Sequence, residues 1–222
     1  MFLEDTFPPA PLTLTITFVA HSTLMMRWGD MVIHVDPVSQ YADYSTLPKA
    51  GLILVTHEHS DHLDPKAIAA IRTDSTTVVV GPRCGAQVPG AVVLHNGDSR
   101  AVKGIRVEAV PAYNVVHVRS PGVPFHGKGE GNGYVLTLGT RKVYIAGDTE
   151  NTREMKGLRR IDIAFLPMNL PYTMTPEMVA DAARAFQPKI LYPYHFGDTD
   201  VGKIEKLLAS EKGIEVRLRP MK

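Results

Sequence analysis

A chain of 222 residues with 44% hydrophobic content is long enough to bury a substantial core as one domain, residues 1–222, and no linker divides it. Its 24 basic and 23 acidic residues nearly cancel, so bulk charge offers nothing to nucleic acid or to an anionic membrane surface. Cys84 is the only cysteine, which rules out an intrachain disulfide, and no apolar stretch nears the roughly 20 residues of a membrane span. The acidic start Met1-Phe2-Leu3-Glu4-Asp5, soon followed by Pro8 and Pro9, is unlike a secretory signal, so a cytoplasmic location is expected.

In chain order, residues 13–19 are β-branched and alternate as strands do. Strand-like segments follow at 23–28 and 31–35, joined by a turn at Trp28-Gly29-Asp30. His21 lies between the first two, and His34, inside the third, is expected in the core. Asp36 reads equally well as a turn residue before Pro37 or as a carboxylate that orients a nearby imidazole.

The apolar run Leu52-Ile53-Leu54-Val55 reads as a buried strand, and directly after it stands Thr56-His57-Glu58-His59-Ser60-Asp61-His62. Loops leaving the carboxyl ends of such strands are where open α/β sheets build their sites. Imidazoles and carboxylates suit Zn²⁺ and other first-row divalent ions. In an extended segment His57 and His59 point the same way and reach one ion. Asp61 and His62, adjacent, suit a second ion once the loop turns. A merely polar surface loop has no need of four ligand-type side chains in six positions.

Asp64-Pro65 then starts a helix, with an Asp cap and Pro at its first position. Strands at 77–80, 91–94 and 104–110 continue a β-rich half, and His95 belongs to the Asn96-Gly97-Asp98 turn. Residues 111–133 read as a long loop rich in glycine and proline that carries His117 and His126. Strands at 134–138 and 142–146 form a hairpin across Gly139-Thr140-Arg141, and the second delivers Gly147-Asp148, where glycine lets the backbone come close to a site. A strand at 161–166, a capped helix from Thr175-Pro176 to Arg184 and a strand at 189–192 lead to His195. A helix from about Asp200 to Ser210 and a strand near 214–218 close the chain. Met174 and Met178 are core filling, and Arg153, Lys156, Arg159 and Arg160 form a solvated face.

His57-x-His59-x-Asp61-His62 resembles the signature of the metallo-β-lactamase superfamily of metal-dependent hydrolases, and similar blocks run along nearly the whole chain. The resemblance implies an αββα sandwich, two mixed β-sheets face to face with helices outside; layer logic alone says only mixed α/β. It also implies two divalent ions, Zn²⁺ with Mn²⁺ or Fe²⁺ as alternatives. The first would sit on His57, His59 and a histidine of the 111–133 loop, the second on Asp61, His62 and His195, with Asp148 shared. The family's usual third histidine follows a Pro-Ala-x run, where this chain has Asn114. Phe125-His126-Gly127-Lys128 and Gly133-Tyr134 instead resemble the branch containing L-ascorbate-6-phosphate lactonase and N-acyl-phosphatidylethanolamine phospholipase D, which favours His126 over His117.

The activity so implied is hydrolysis of an ester, lactone or phosphodiester bond of a small-molecule substrate by a metal-activated water, with Asp61 orienting the nucleophile or taking a proton. Two other classes compete. An iron oxidoreductase on the same fold would carry a carboxylate where His59 stands, and a non-catalytic metal-binding module would not need so full a ligand set. Nucleic-acid processing would want a clamp domain or a basic arm. His21, Tyr113, Asn114, Asn169 and Tyr172 are pocket candidates.

Overall fold

Alternation along short strands builds the first sheet of the computed structural model, which describes residues 2–221. β1 (Leu3–Phe7), β2 (Leu14–Ala20), β3 (Thr23–Trp28) and β4 (Met31–Val35) form an antiparallel meander, and β5 (Leu52–Val55), β6 (Thr77–Val80) and β7 (Val92–Val93) extend it in parallel. In β5, Leu52 and Leu54 join the core shared with the second sheet, whereas Ile53 and Val55 pack with Ala67, Ile68 and Ile71 of α1 (Pro65–Ile71). A strand buried on both faces is what a continuous apolar run in a parallel sheet produces. Asp64 caps α1, accepting from the Lys66 amide at 2.8 Å.

The second sheet repeats the plan. β8 (Ser99–Val102) and β9 (Ile105–Ala112) lead, past a two-stranded excursion of β10 (Val118–Ser120) and β11 (Val123–Pro124), to β12 (Gly131–Leu138) and β13 (Arg141–Ile145). These four long-sheet strands are antiparallel, and β14 (Ile163–Pro167), β15 (Ile190–Tyr194) and β16 (Glu215–Val216) follow in parallel, giving the order β16-β15-β14-β13-β12-β9-β8. Outside lie α2 (Arg153–Lys156), α3 (Pro176–Phe186) and α4 (Gly202–Leu207). α3 buries Val179, Ala182, Ala183 and Phe186 at helical spacing, and Thr175 caps it by accepting from the Met178 amide. Between the sheets, Phe18 of β2 meets Tyr192 of β15 at a ring-centroid distance of 5.1 Å, and Tyr192 stacks on Phe165 at 5.0 Å. The fold is therefore the αββα sandwich of two mixed sheets. Among the described residues, no helix is long and apolar enough to cross a membrane.

Several boundaries differ from the sequence reading. β1, β8, β10, β11 and α2 are additional elements, and α4 and β16 are shorter than expected. The 111–133 stretch is strand at both ends: Gly131, Asn132 and Gly133 pair with Ala112, Pro111 and Val110. Gly133 serves close packing rather than a loop, since a Cβ there would lie 2.6 Å from the Ala146 carbonyl. The parallel strands β4, β5, β13, β14 and β15 run in step, so the residues that follow them gather at one rim.

Candidate metal centre

His57, His59, Asp61 and His62 occupy the loop after β5. That loop is not extended: the amides of His62 and Leu63 both donate to the His59 carbonyl at 2.9 Å, and this turn, not strand alternation, sets which side chains meet. His57 Nε2 lies 3.1 Å from His59 Nδ1, which lies 3.3 Å from His126 Nε2. His62 Nε2 and His195 Nε2 stand 3.6 and 3.5 Å from Asp61 Oδ2. Asp148, after β13, faces both groups: Oδ2 is 3.4 Å from His126 Nε2 and 3.9 Å from His57 Nε2, while Oδ1 is 3.4 Å from both His62 Nε2 and His195 Nε2.

These spacings suit a metal. A tetrahedral Zn²⁺ at its usual ligand distances keeps neighbouring donor atoms about 3.4 Å apart. His62 Nε2, Asp148 Oδ1 and both ring nitrogens of His195 are buried without any hydrogen-bond partner. Buried polar atoms are otherwise almost always paired, and His62 Nε2 and His195 Nε2, each 3.4 Å from Asp148 Oδ1, converge where a cation would satisfy them. His21, read from sequence only as a pocket residue, stands as near as the expected ligands: its Nε2 is 3.3 Å from Asp61 Oδ2, and its ring lies 3.8 Å from that of His195. Its carbonyl also accepts the His195 amide at 3.0 Å.

The surrounding residues fix the rings. Asp36, wholly buried, accepts the Thr56 amide and hydroxyl, each at 2.8 Å, and His62 Nδ1 at 2.7 Å. Of its two sequence readings, the orienting carboxylate is the one the fold uses. On the other side, Asn114 Oδ1 accepts the amide of His126 at 2.8 Å and its Nδ1 at 2.9 Å, turning Nε2 toward His59 and Asp148. Asn114 thus supports the histidine instead of replacing it. Glu150, fully buried and missed by the sequence reading, accepts the amides of Val115, Val116 and His117 at 2.6, 2.6 and 2.8 Å, and His117 Nδ1 at 2.6 Å. His117 is held there, and no ligand group among the described residues includes it. The only advance signal for Glu150 was a second carboxylate two positions after Asp148.

Three residues of this rim hold strained backbone. His21, Asp36 and His195 have φ of 55°, 44° and 45°, a region L-residues avoid unless the surroundings impose it. Gly147 has φ of 66°, and a Cβ there would meet the Asn132 carbonyl at 2.9 Å, so only glycine lets Asp148 approach.

Electrostatics sort the two groups. Burial, aided by the neighbouring imidazole of His62, pushes His57 well below the usual histidine value, and burial lowers His126 too, so both keep lone pairs free. Burial also opposes charge on His62, but the carboxylates of Asp148 and Asp36 prevail and raise it to about 9. Burial would lift Asp61 and Asp148, yet the surrounding imidazoles hold both well below the ordinary carboxylate range. A field that draws a proton to His62 draws a divalent cation as well.

Two cavities of about 400 and 440 Å³ flank these side chains and share His59, Arg119, Phe125, His126 and Asp148. Asn169 and Tyr172 line the second with His21; Tyr113 lies outside both, its hydroxyl donating to Glu154 at 2.9 Å. Cys84 is buried away from them, beneath α1.

Residues 15–195 match the beta-lactamase superfamily domain, and the chain belongs to that superfamily of metal-dependent hydrolases. A crystal structure of a Parabacteroides distasonis protein, assigned as a metal-dependent hydrolase, is 48% identical with a TM-score of 0.95, covering 100% of each chain. A metal-dependent hydrolase of Koribacter versatilis is 35% identical over 76% of this chain and 75% of its own. Another, of Pelotomaculum thermopropionicum, is 26% identical over 92% of this chain and 96% of its own. These relatives favour neither an iron oxidoreductase nor a non-catalytic module.

Proposed function

We propose that the chain acts as a single hydrolytic unit whose first divalent ion is held by His57, His59 and His126 and whose second is held by Asp61, His62 and His195, with Asp148 shared. The observation that carries this is Asp148, which sends one carboxylate oxygen toward each set of imidazoles. Five histidines and two carboxylates suit Zn²⁺, and Mn²⁺ or Fe²⁺ take the same donors. When bound, such a pair of ions polarises the scissile oxygen and acidifies a water, whose pKa falls from 15.7 to about 7.

The chain's own residues then have distinct tasks. Asp36 and Asn114 hold His62 and His126 in the tautomer that presents Nε2 inward. Asp61, the most accessible of the proposed ligands' carboxylates at 39%, points into the second cavity and orients the nucleophile. The scissile bond is an ester, lactone or phosphodiester of a small molecule. A phosphorylated lactone or a phosphodiester is what the branch that Phe125-His126-Gly127-Lys128 resembles implies, and the place of His126 beside His59 supports its reading as the third ligand.

Metal analysis of freshly purified protein together with a lactone, phosphodiester and thioester panel tests the reading. About two divalent ions per chain and turnover of the lactone or the phosphodiester are expected. His59→Ala and Asp61→Ala should each cost more than the roughly 10–100-fold typical of removing an outer partner of a ligand, with the circular dichroism spectrum unchanged. Full turnover in either variant rejects the site.

A further inference from the structure

Arg83 and Arg119 line the cavities of the centre and Lys128 lies outside them, and of these three cations two are neutralised. Arg83 pairs with Glu58 at 3.0 Å and Glu130 at 3.2 Å, tying the loop after β5 to the residues before β12. Lys128 pairs with Glu154 at 2.7 Å. Arg119, on β10, has no acidic partner among the described residues; its guanidinium lies 5.8 Å from the centre of the Phe125 ring. Arg119 also lines both cavities, where the other charged side chains either belong to the Arg83 network or face the metal centre.

We propose that Arg119 recognises an oxyanion of the substrate, a carboxylate or a phosphate, beyond the scissile bond; this rests on the hydrolytic reading above. A guanidinium offers planar paired donors that match such groups, and stacking on an aromatic ring orients it without consuming its hydrogen bonds. The wall beside it is apolar. Val123 and Pro124 line the first cavity, and Phe125 meets Tyr172 of the second edge to face at 5.1 Å. The geometry therefore selects an anion attached to an apolar or planar body, lying across the junction of the two cavities. The short β10–β11 hairpin carries the cation, and the ring follows directly after its second strand, so anion binding and apolar contact are coupled in one short segment.

The test is titration calorimetry of the metal-loaded protein with phenylphosphonate and with its neutral diethyl ester, in wild type, Arg119→Ala and Arg119→Lys. A charged hydrogen bond of ordinary strength corresponds to roughly 10–100-fold in affinity. The Kd of phenylphosphonate should rise by about tenfold or more in Arg119→Ala and by less in Arg119→Lys, while the neutral ester changes less than the anion. An unchanged phenylphosphonate Kd, equal losses for both ligands, or no binding of phenylphosphonate by wild type overturns the proposal. Metal content measured on the same samples separates the two readings. Protein without divalent metal sinks the hydrolytic reading, whereas a metal-loaded protein indifferent to Arg119 sinks only this one.

Discussion

Asp36 Oδ2 lies 2.7 Å from Nδ1 of His62, and both side chains are wholly buried. One residue follows β4 and the other lies in the loop after β5, so a parallel strand pair sets their distance. The contact makes Nδ1 the donor and leaves Nε2 to face Asp61 and Asp148. Asp36→Asn keeps the shape but lets the amide present a donor to Nδ1. Affinity for the second divalent ion should fall about 10–100-fold, read by Co²⁺ titration, while the first site keeps its affinity. A second-site affinity unchanged from wild type refutes this role.

Glu150 anchors the loop that carries His126. Burial alone would raise its pKa, but the amides of His117, Val116 and Val115 and the Asn114 side chain bring it below the usual glutamate value. Glu150→Gln replaces an acceptor with a donor facing those amides, at a cost of about 1–3 kcal/mol for the unpaired groups. Amide hydrogen exchange should then speed up between residues 113 and 130 and stay slow in β5. Uniform protection would show that the loop holds itself.

His34 sets an acid limit on stability. Burial lowers its pKa to about 4, although its Nε2 bonds the Pro48 carbonyl at 3.0 Å. The unfolded chain takes up its proton near 6.5 and the folded chain only near 4, so folding stability is complete above about 6.5 and is lost as pH falls toward 4. The full loss is about 3 kcal/mol. Denaturant melts of wild type and His34→Gln across this range should show a shallower slope in the variant, and parallel curves contradict the assignment.

Asp5 ties the amino-terminal strand to the far end of the chain. It accepts from Arg219 Nη2 at 2.6 Å, from the Tyr192 hydroxyl, and from Arg217 Nη1 at 3.3 Å. Asp5→Ala leaves two guanidinium groups short of an acceptor and should cost about 1–3 kcal/mol. For a chain of this size, each kcal/mol lowers Tm by roughly 2–4 °C. Calorimetry finding no change would mean that β1 is held by its ladder to β2 alone.

Local pattern exposed much of the design. Alternation and short apolar runs located β3, β4, β5 and β6 nearly to the residue, and Asp-Pro and Thr-Pro marked the starts of α1 and α3. β1 was hidden because Glu4 and Asp5 are residues that strands seldom carry, and the first residues of β12 because glycine reads as loop. The functions of Asn114 and Glu150 were equally hidden, since each acts on a partner brought near by the fold: His126 is 12 positions from Asn114, and His117 is 33 from Glu150. For Asp36 the orienting role was one of two readings, and the fold chose it by bringing His62 in from 26 positions away.

By itself the sequence determined the chemistry: imidazoles and carboxylates packed into six positions after a buried strand commit the chain to binding a cation. The resemblance already favours His126 over His117; what only the tertiary structure decided is where each ring goes, with Glu150 capturing that of His117 and Asn114 turning that of His126 toward His59. Hydrogen-bond partners across dozens of residues are fixed by sheet pairing and loop closure, and those leave no periodic trace in the chain.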